Sequence, residues 1–414
     1  MRKMFVLPAL LAGLLAGSAL SQGQPPMAIH DGDRVVFYGD SITAQRFYTR
    51  FVEDFVLTRY PQMQVSFWNA GVPGDTVSGG YTGNRDVRLK RDLFPHRPTV
   101  VTVMLGMNDG YYMPFNQKYL DIFEEGYRNL LGTIAANDPE ARITLISTTP
   151  YDEVTHGTEF AGYNDVVSRH AAFAKDLAAS RHEPFADFNK IVTDLEYAGK
   201  QSNAKLAAML VQDHIHPSES AHWALAAELA RSWGLSPVVS SVRVDAAQAK
   251  VTATERTAIT DLAVKDGQVR WTQKDEALPL PLELHDGMIQ FVLEIGNLAS
   301  MDRQMMRVEG LTAARYTLKI DGHAVGTFKR EELAAGVNLA LYPTPMQGQA
   351  KGVDGLEQKR ARLNEASFIL GIEEPKAAGS DDAVKAIEAK DAALAEEQRK
   401  EAQPKPHAFE LLVE

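Results

Sequence analysis

Between Val35 and Leu235, short apolar runs alternate with longer amphipathic stretches. The runs cover residues 35–38, 65–68, 100–105 and 143–146, with a weaker run at 184–188. The first four are rich in β-branched or aromatic residues, as buried parallel strands are. The stretches that predict helices include residues 47–59, 119–136 and 161–179. Strands that alternate with helices form a parallel sheet covered by helices, so the pattern predicts one α/β domain from Val35 to about Leu235.

The pattern changes after Pro237, where apolar residues alternate with polar ones. Such runs lie at residues 242–244, 251–254, 269–272, 289–293 and 316–320. Several are separated by turns such as Asp321-Gly322. Alternation of this kind is typical of antiparallel strands with one buried face. We therefore expect a small β-rich domain, an antiparallel sheet or sandwich, over residues 238–343.

The last segment, residues 345–414, is helical in pattern and rich in charge. Residues 356–368 and 382–401 predict two helices, and Pro375 and Gly379 predict a break between them at residues 375–381. The second helix has few large apolar side chains, so it is either a solvated helix or partly disordered. The apolar run at residues 409–413 could return as a strand.

Composition excludes several classes of protein. The 414-residue chain contains no cysteine, so it has no disulfide, no thiolate catalyst and no cysteine-bound metal. Its formal net charge of −11 argues against non-specific binding to nucleic acid or anionic lipid. An acidic surface is still compatible with a neutral or esterified polysaccharide.

Residues 1–21 have the features of a signal peptide. Arg2 and Lys3 precede an apolar run at residues 5–15, and Ala19 and Ser21 are small residues placed for cleavage before Gln22. The apolar run is short for a membrane span. The alternative to a cleaved signal peptide is an uncleaved anchor. We expect a secreted or periplasmic protein without stable membrane insertion.

Three polar motifs directly follow the first three predicted strands. They are Gly39-Asp40-Ser41, Asn69–Thr76 and Gly106–Gly110. Ligands bind at the carboxyl ends of strands in open α/β sheets, and a serine there would lie near a helix N-terminus that favours negative charge. Taken singly, each motif also fits an ordinary turn or helix cap.

A fourth motif, Asp213-His214-Ile215-His216-Pro217, precedes a predicted helix at residues 220–233. A serine hydroxyl needs a base to take its proton, and that base needs a group to orient it. Asp213 and His216 could supply both groups from one segment, although His214 competes for the role of base. A metal site formed by Asp213, His214 and His216 is a further interpretation.

The four motifs, in this order, resemble those of the SGNH (GDSL-type) hydrolases, whose conserved blocks carry Ser, Gly, Asn and His. The matching residues are Ser41, Gly74, Asn108 and His216, with Asp213 completing the family's Asp-x-x-His pattern. Ile42 replaces a leucine that is frequent in the first block. The resemblance covers residues 28–236 and implies a flavodoxin-like three-layer fold that needs no metal or organic cofactor.

The resemblance also implies a mechanism. Ser41 would attack an ester carbonyl, His216 would take the serine proton, and Asp213 would orient His216. The backbone N–H groups of Ser41 and Gly74, together with the Asn108 amide, would form the oxyanion hole.

The substrate is less constrained by the sequence. Asp40, Tyr111 and Tyr112 lie in or next to the motifs and are candidates for contacting it, although the two tyrosines fit plain packing equally well. Secretion and a β-rich extension favour a carbohydrate O-acetylesterase that acts on an acetylated polysaccharide or oligosaccharide. A lipase, phospholipase or arylesterase of the same family is the alternative, although no loop in the first half is conspicuously apolar. A non-catalytic glycan-binding or envelope protein is the alternative of another class.

Overall fold

A computed structural model describes residues 25–157, 160, 162–372 and 380–414. The predicted signal peptide and residues 375–379 of the predicted break lie outside these residues. Among the helices that the structure describes, none is long and apolar enough to cross a membrane.

The first half of the chain forms a five-stranded, all-parallel sheet. Its strands are β1 (Arg34–Gly39), β2 (Ser66–Gly71), β3 (Val100–Met104), β4 (Arg142–Ile146) and β5 (Phe185–Ala186). They lie in the order β2-β1-β3-β4-β5. The order reverses at β1, and ligands bind at such a switch point in open α/β sheets.

Helices cover both faces of this sheet. They are α1 (Phe47–Arg59), α2 (Gln117–Asn137), α3 (Tyr163–Arg181), α4 (Phe188–Ala207) and α5 (Glu219–Ser232). Because side chains alternate along a strand, Val35 and Phe37 of β1 join the core under α1 and α5. Val36 and Tyr38 join the opposite core, under α2. This arrangement confirms the predicted flavodoxin-like three-layer fold.

The second half begins with four strands and a helix: β6 (Val238–Asp245), β7 (Lys250–Glu255), β8 (Thr257–Lys265), β9 (Gln268–Asp275) and α6 (Gly287–Gly296). It continues with β10 (Arg303–Glu309), β11 (Arg315–Ile320), β12 (His323–Lys329) and α7 (Arg330–Ala335). The last elements are α8 (Pro345–Ile372), α9 (Ser380–Glu401) and β13 (His407–Val413).

These strands form two sheets. One has the order β8-β9-β13-β11-β12 and is antiparallel throughout. The other has the order Val337–Asn338, β10, β6, β7. In that sheet β6 and β10 run parallel, which corrects the expectation of a purely antiparallel arrangement. A parallel pair needs a long crossover, and residues 246–302 provide it.

The prediction of a strand at residues 289–293 is wrong, because these residues lie in α6. Asp286 begins the helix by accepting hydrogen bonds from the backbone N–H groups of Met288 and Ile289. The run at residues 289–293 is short, and apolar residues also lie on either side of it, which fits a helix packed on α4. In that packing Phe291 lies against Gly199.

The two C-terminal helices are tied to the α/β domain by a buried guanidinium. Arg360 of α8 pairs with Glu53 of α1, with Glu357 of its own helix and with Asp391 of α9. It also donates to the side chain of Gln398 on α9. The helix at residues 380–401 is thus held by polar contacts, which explains why few of its residues are large and apolar. The domain boundaries at residues 236–238 and 343–345 stay predictions.

We expect Arg360→Met to lower the free energy of unfolding by about 3–5 kcal/mol, because it leaves buried carboxylates without their cation. Denaturant unfolding would measure the change. Lys190→Ala is the matched control: it removes an exposed pair with Asp194, and we expect a loss of at most about 1 kcal/mol. Equal effects of the two substitutions would contradict a special role for Arg360.

Candidate active site

Ser41 lies where β1 ends. It opens a short helix, Ser41–Ala44, whose N-cap is Asp40, and Oδ1 of Asp40 accepts from the Ile42 backbone N–H at 3.0 Å. The turn requires a glycine before it, because a Cβ on Gly39 would lie 2.2 Å from Oγ1 of Thr43. The sequence thus places the Ser41 hydroxyl at the carboxyl edge of the sheet.

His216 and Asp213 meet Ser41 in one chain of hydrogen bonds. Nε2 of His216 is 2.7 Å from Oγ of Ser41, and Nδ1 of His216 is 2.6 Å from Oδ2 of Asp213. A carboxylate can only accept, so Nδ1 carries the proton and Nε2 is free to accept the serine O–H. The three side chains have the geometry of a nucleophile, its base and the group that orients the base.

The Asp213 carboxylate is held in place by its own loop. Its Oδ1 accepts from the backbone N–H groups of Ile215, at 3.1 Å, and His216, at 2.7 Å. Partial burial opposes ionisation, but the hydrogen bonds from the His216 backbone and ring outweigh it and hold the Asp213 pKa below its usual range. Asp213 is therefore a carboxylate at neutral pH.

His214 points elsewhere. Its Nδ1 donates to the backbone carbonyl of Asp152 at 2.7 Å, and its ring stacks on Tyr151 at 5.1 Å. The backbone of His214 is left-handed, with φ of 66°. The structure thus separates the two histidines that compete as bases. Within the described ranges, no three His, Asp or Glu side chains are grouped to hold a metal ion.

Gly74 occupies a turn next to the serine. Residues 72–75 form this turn, which is closed by a hydrogen bond from the Asp75 N–H to the Val72 carbonyl at 3.2 Å. Pro73 is the second residue of the turn and Gly74 is the third. Gly74 has a positive φ of 72° at the third position of the turn. A positive φ at this position favours glycine. In the described part of the chain, the backbone N–H groups of Ser41 and Gly74 have no hydrogen-bond partner. Both donors are therefore available to a ligand.

Asn108 follows β3 and contacts the same turn. Its Nδ2 donates to the backbone carbonyl of Asp75 at 2.9 Å, and its Oδ1 accepts from the Tyr112 hydroxyl at 2.9 Å. An amide nitrogen has two N–H groups, so one remains for a ligand. The structure thus brings the three predicted oxyanion-hole residues, Ser41, Gly74 and Asn108, to the same edge of the sheet.

Sequence reasoning missed Arg88, which is completely buried behind this site. Its guanidinium pairs with Asp75 at 3.0 Å and with Asp92 at 2.6 Å. It also donates to the backbone carbonyls at the ends of β1 and β2, those of Gly39 and Ala70. In the sequence, Arg88 stands in a charged run at residues 85–92 that looks like a solvated surface, so only its burial reveals its role.

The three candidate substrate-contacting residues lie in different environments. Asp40 is fully buried, so its side chain is not placed to contact a substrate, contrary to expectation. Tyr112 is half-buried and bonded to Asn108, whereas Tyr111 is 56% exposed. Met113 and Phe115 of the same loop are also exposed, so this loop is more apolar than the sequence suggested.

Buried carboxyl groups underlie the site. Burial raises the pKa of Asp40 to about 8, and nearby Asp109 and Asp75 contribute, against the hydrogen bond from Ile42. Burial likewise raises the pKa of Asp109 to about 7, even though its Oδ1 accepts from the Val77 backbone N–H. Both groups bind a proton in the folded protein at pH values where an exposed carboxyl is ionised.

These raised pKa values predict that the free energy of unfolding falls as pH rises. The folded state holds more protons, so the stabilisation is complete below about pH 4 and is lost as pH rises through about 7 to 8. Asp109→Asn keeps an acceptor for Val77, and we expect it to flatten the decline between about pH 5 and 8. Urea unfolding across this range measures it. The exposed substitution Asp86→Asn should leave the slope unchanged, and an unchanged slope in Asp109→Asn would refute the interpretation.

Comparison with known proteins finds similarity in the first half of the chain. Residues 37–224 match the GDSL-like lipase/acylhydrolase family. An acetylxylan esterase of Geobacillus stearothermophilus is 26% identical over 241 residues, which are 52% of this chain and all of the relative. A crystal structure of an acetylxylan esterase from the same organism, 24% identical, covers 50% of this chain and 97% of its own, with a TM-score of 0.40.

The fold extends beyond the matched segment. A solved structure of a gut microbial diltiazem-metabolizing enzyme covers 94% of this chain and 100% of its own, with 22% identity and a TM-score of 0.81. The second half therefore also has a known structural counterpart. The family match and the acetylxylan esterase relative lead to one conclusion: residues 37–224 are similar to the GDSL-like lipase/acylhydrolase family, and the protein is a carboxylic ester hydrolase.

Proposed function

We propose that this enzyme is a secreted serine esterase that removes acetyl groups from carbohydrates through an acyl-enzyme. The main support for the catalytic part of this proposal is the unbroken chain of hydrogen bonds from Ser41 through His216 to Asp213. The match of residues 37–224 to a hydrolase family supports this proposal over the non-catalytic alternative.

In the proposed first step, Oγ of Ser41 attacks the ester carbonyl while Nε2 of His216 takes the hydroxyl proton. Asp213 stabilises the imidazolium that forms. His216 then gives the proton to the leaving alcohol, which produces the acyl-enzyme. In the second stage of the reaction, His216 takes a proton from water and the hydroxide attacks the acyl carbonyl. His216 then returns the proton to Ser41 as the acid leaves.

The oxyanion of each tetrahedral intermediate would be held by three donors. These are the backbone N–H groups of Ser41 and Gly74 and the second N–H of the Asn108 amide. Losing one such donor typically costs about 10²–10³ in kcat. Because Arg88 and the turn at residues 72–75 hold these groups before substrate binds, little reorganisation is needed during the reaction.

The carbohydrate part rests on the acetylxylan esterase relative, whose whole length aligns with half of this chain. We propose an acetylated polysaccharide or oligosaccharide as substrate, with exposed Tyr111 contacting its alcohol portion. Secretion is proposed from the signal-peptide features of residues 1–21. The exposed apolar side chains of Tyr111, Met113 and Phe115 favour a second candidate, an arylesterase or lipase-type activity on larger apolar esters.

We expect Ser41→Ala to lower kcat for an aryl acetate by about 10⁴-fold or more, because the nucleophile is lost. Initial rates of the purified mature protein measure it, with far-ultraviolet circular dichroism to verify folding. His214→Asn is the matched control: it removes a neighbouring imidazole outside the triad, and asparagine tolerates the left-handed backbone. We expect that variant to retain most of the activity. A Ser41→Ala enzyme as fast as wild type would overturn the proposed mechanism.

The substrate proposal predicts a preference for short acyl groups. We expect kcat/KM to fall from acetate to butyrate to octanoate in a series of aryl esters, and we expect acetate release from acetylated xylan. Ser41→Ala provides the background rate for every substrate. A preference for octanoate, or no release from acetylated glycans together with rapid aryl ester cleavage, would replace the carbohydrate proposal with the second candidate.

A further inference from the structure

The orientation of the Asn108 amide is determined by chemistry at both ends. The backbone carbonyl of Asp75 can only accept a hydrogen bond, so the atom 2.9 Å from it must be the amide nitrogen of Asn108. The amide oxygen then faces the hydroxyl of Tyr112, which must act as the donor. A flipped amide would place two acceptors against each other at Asp75.

The Tyr112 hydroxyl is held in place by a packed ring. The ring lies 4.9 Å from that of Tyr163 and 5.9 Å from that of Phe160, measured between centroids. Tyr163 is itself fixed, because its hydroxyl donates to the backbone carbonyl of Met107 at 2.6 Å. The Tyr112 hydroxyl therefore reaches Asn108 from a supported position.

The loop that carries Tyr112 has a strained backbone, and this strain allows Tyr112 to contact Asn108. Tyr111 and Tyr112 both adopt left-handed conformations, with φ of 54° and 56°. Such values are uncommon for residues with bulky side chains and persist where surrounding contacts impose them. Two in succession turn the loop back, so that a residue four positions after Asn108 can contact its side chain.

We propose that Tyr112 is a positioning residue for the oxyanion hole: its hydroxyl fixes the Asn108 amide so that the second N–H of Nδ2 donates to the oxyanion. This inference rests on the proposed function. It assigns Tyr112 a role through Asn108, whereas the sequence left direct substrate contact and plain packing equally open. Burial raises the pKa of Tyr112, so its hydroxyl keeps the proton that it donates.

The test is Tyr112→Phe, which keeps the packed ring and removes the hydroxyl. Without it the Asn108 side chain gains rotational freedom, and we expect kcat for an aryl acetate to fall about tenfold with KM nearly unchanged. Affinity for a phenylboronic acid, which forms a tetrahedral anion on a catalytic serine, should fall by a similar factor. A purely structural role would not weaken boronate binding selectively.

Tyr127→Phe is the matched control. It also removes one buried hydroxyl, which donates to the Val103 backbone carbonyl at 3.1 Å, but it leaves Asn108 untouched. We expect any loss of stability to be similar in the two variants and the loss of kcat to be confined to Tyr112→Phe. Equal kcat values for wild type and Tyr112→Phe would overturn the proposal.

A double-substitution cycle separates this inference from the proposed function. In the Asn108→Ala background, whose own kcat should be about 10²–10³-fold lower, Tyr112→Phe should have almost no further effect. A full additional tenfold loss would show that Tyr112 acts independently of Asn108. If Ser41→Ala abolishes activity while Tyr112→Phe does not change it, only the positioning role fails. If Ser41→Ala remains active, the proposed function itself fails.

Discussion

The active-site edge of the sheet depends on one buried cation. The Arg88 guanidinium contacts backbone carbonyls at the ends of β1 and β2 and pairs with Asp75, the last residue of the turn that contains Gly74. A buried guanidinium is tolerated only when its donors are satisfied, so these partners must stay where they are. Arg88 thereby couples the position of Ser41, two residues after Gly39, to that of the oxyanion-hole turn.

Much of this site could be predicted from sequence because its chemistry follows strand ends. The apolar runs fixed where the strands stop, and Ser41, Gly74 and Asn108 come within a few residues of those points. The choice between His214 and His216 could not be made this way, because it depends on contacts of the His214 ring with Tyr151 and the Asp152 carbonyl, which come from a distant part of the chain. Arg88 was missed because a buried arginine and an exposed one leave the same local pattern.

The second half shows where periodicity fails. Residues 289–293 fit a strand by alternation, but the Asp286 cap and packing against α4 decide for a helix. The strand β13 was foreseen only as a possibility, yet it lies at the centre of its sheet, between β9 and β11. Pairing between distant segments depends on the completed fold, so the last residues of the chain cannot be assigned from local pattern alone.

The electrostatics of the site follow from the same burial. Asp40, Asp75 and Asp109 lie beneath the serine with Arg88 as a nearby cation, and Arg88 is paired with Asp75 and Asp92. Burial is the main reason that the pKa of Asp40 rises to about 8 and that of Asp109 to about 7. The nearby carboxyl groups add to the rise, against the backbone hydrogen bonds that both groups receive. An ionised carboxylate below the oxyanion hole would oppose the negative charge of the tetrahedral intermediate. The proton on Asp40, and a part of that on Asp109, is retained near neutral pH and therefore favours the proposed reaction there.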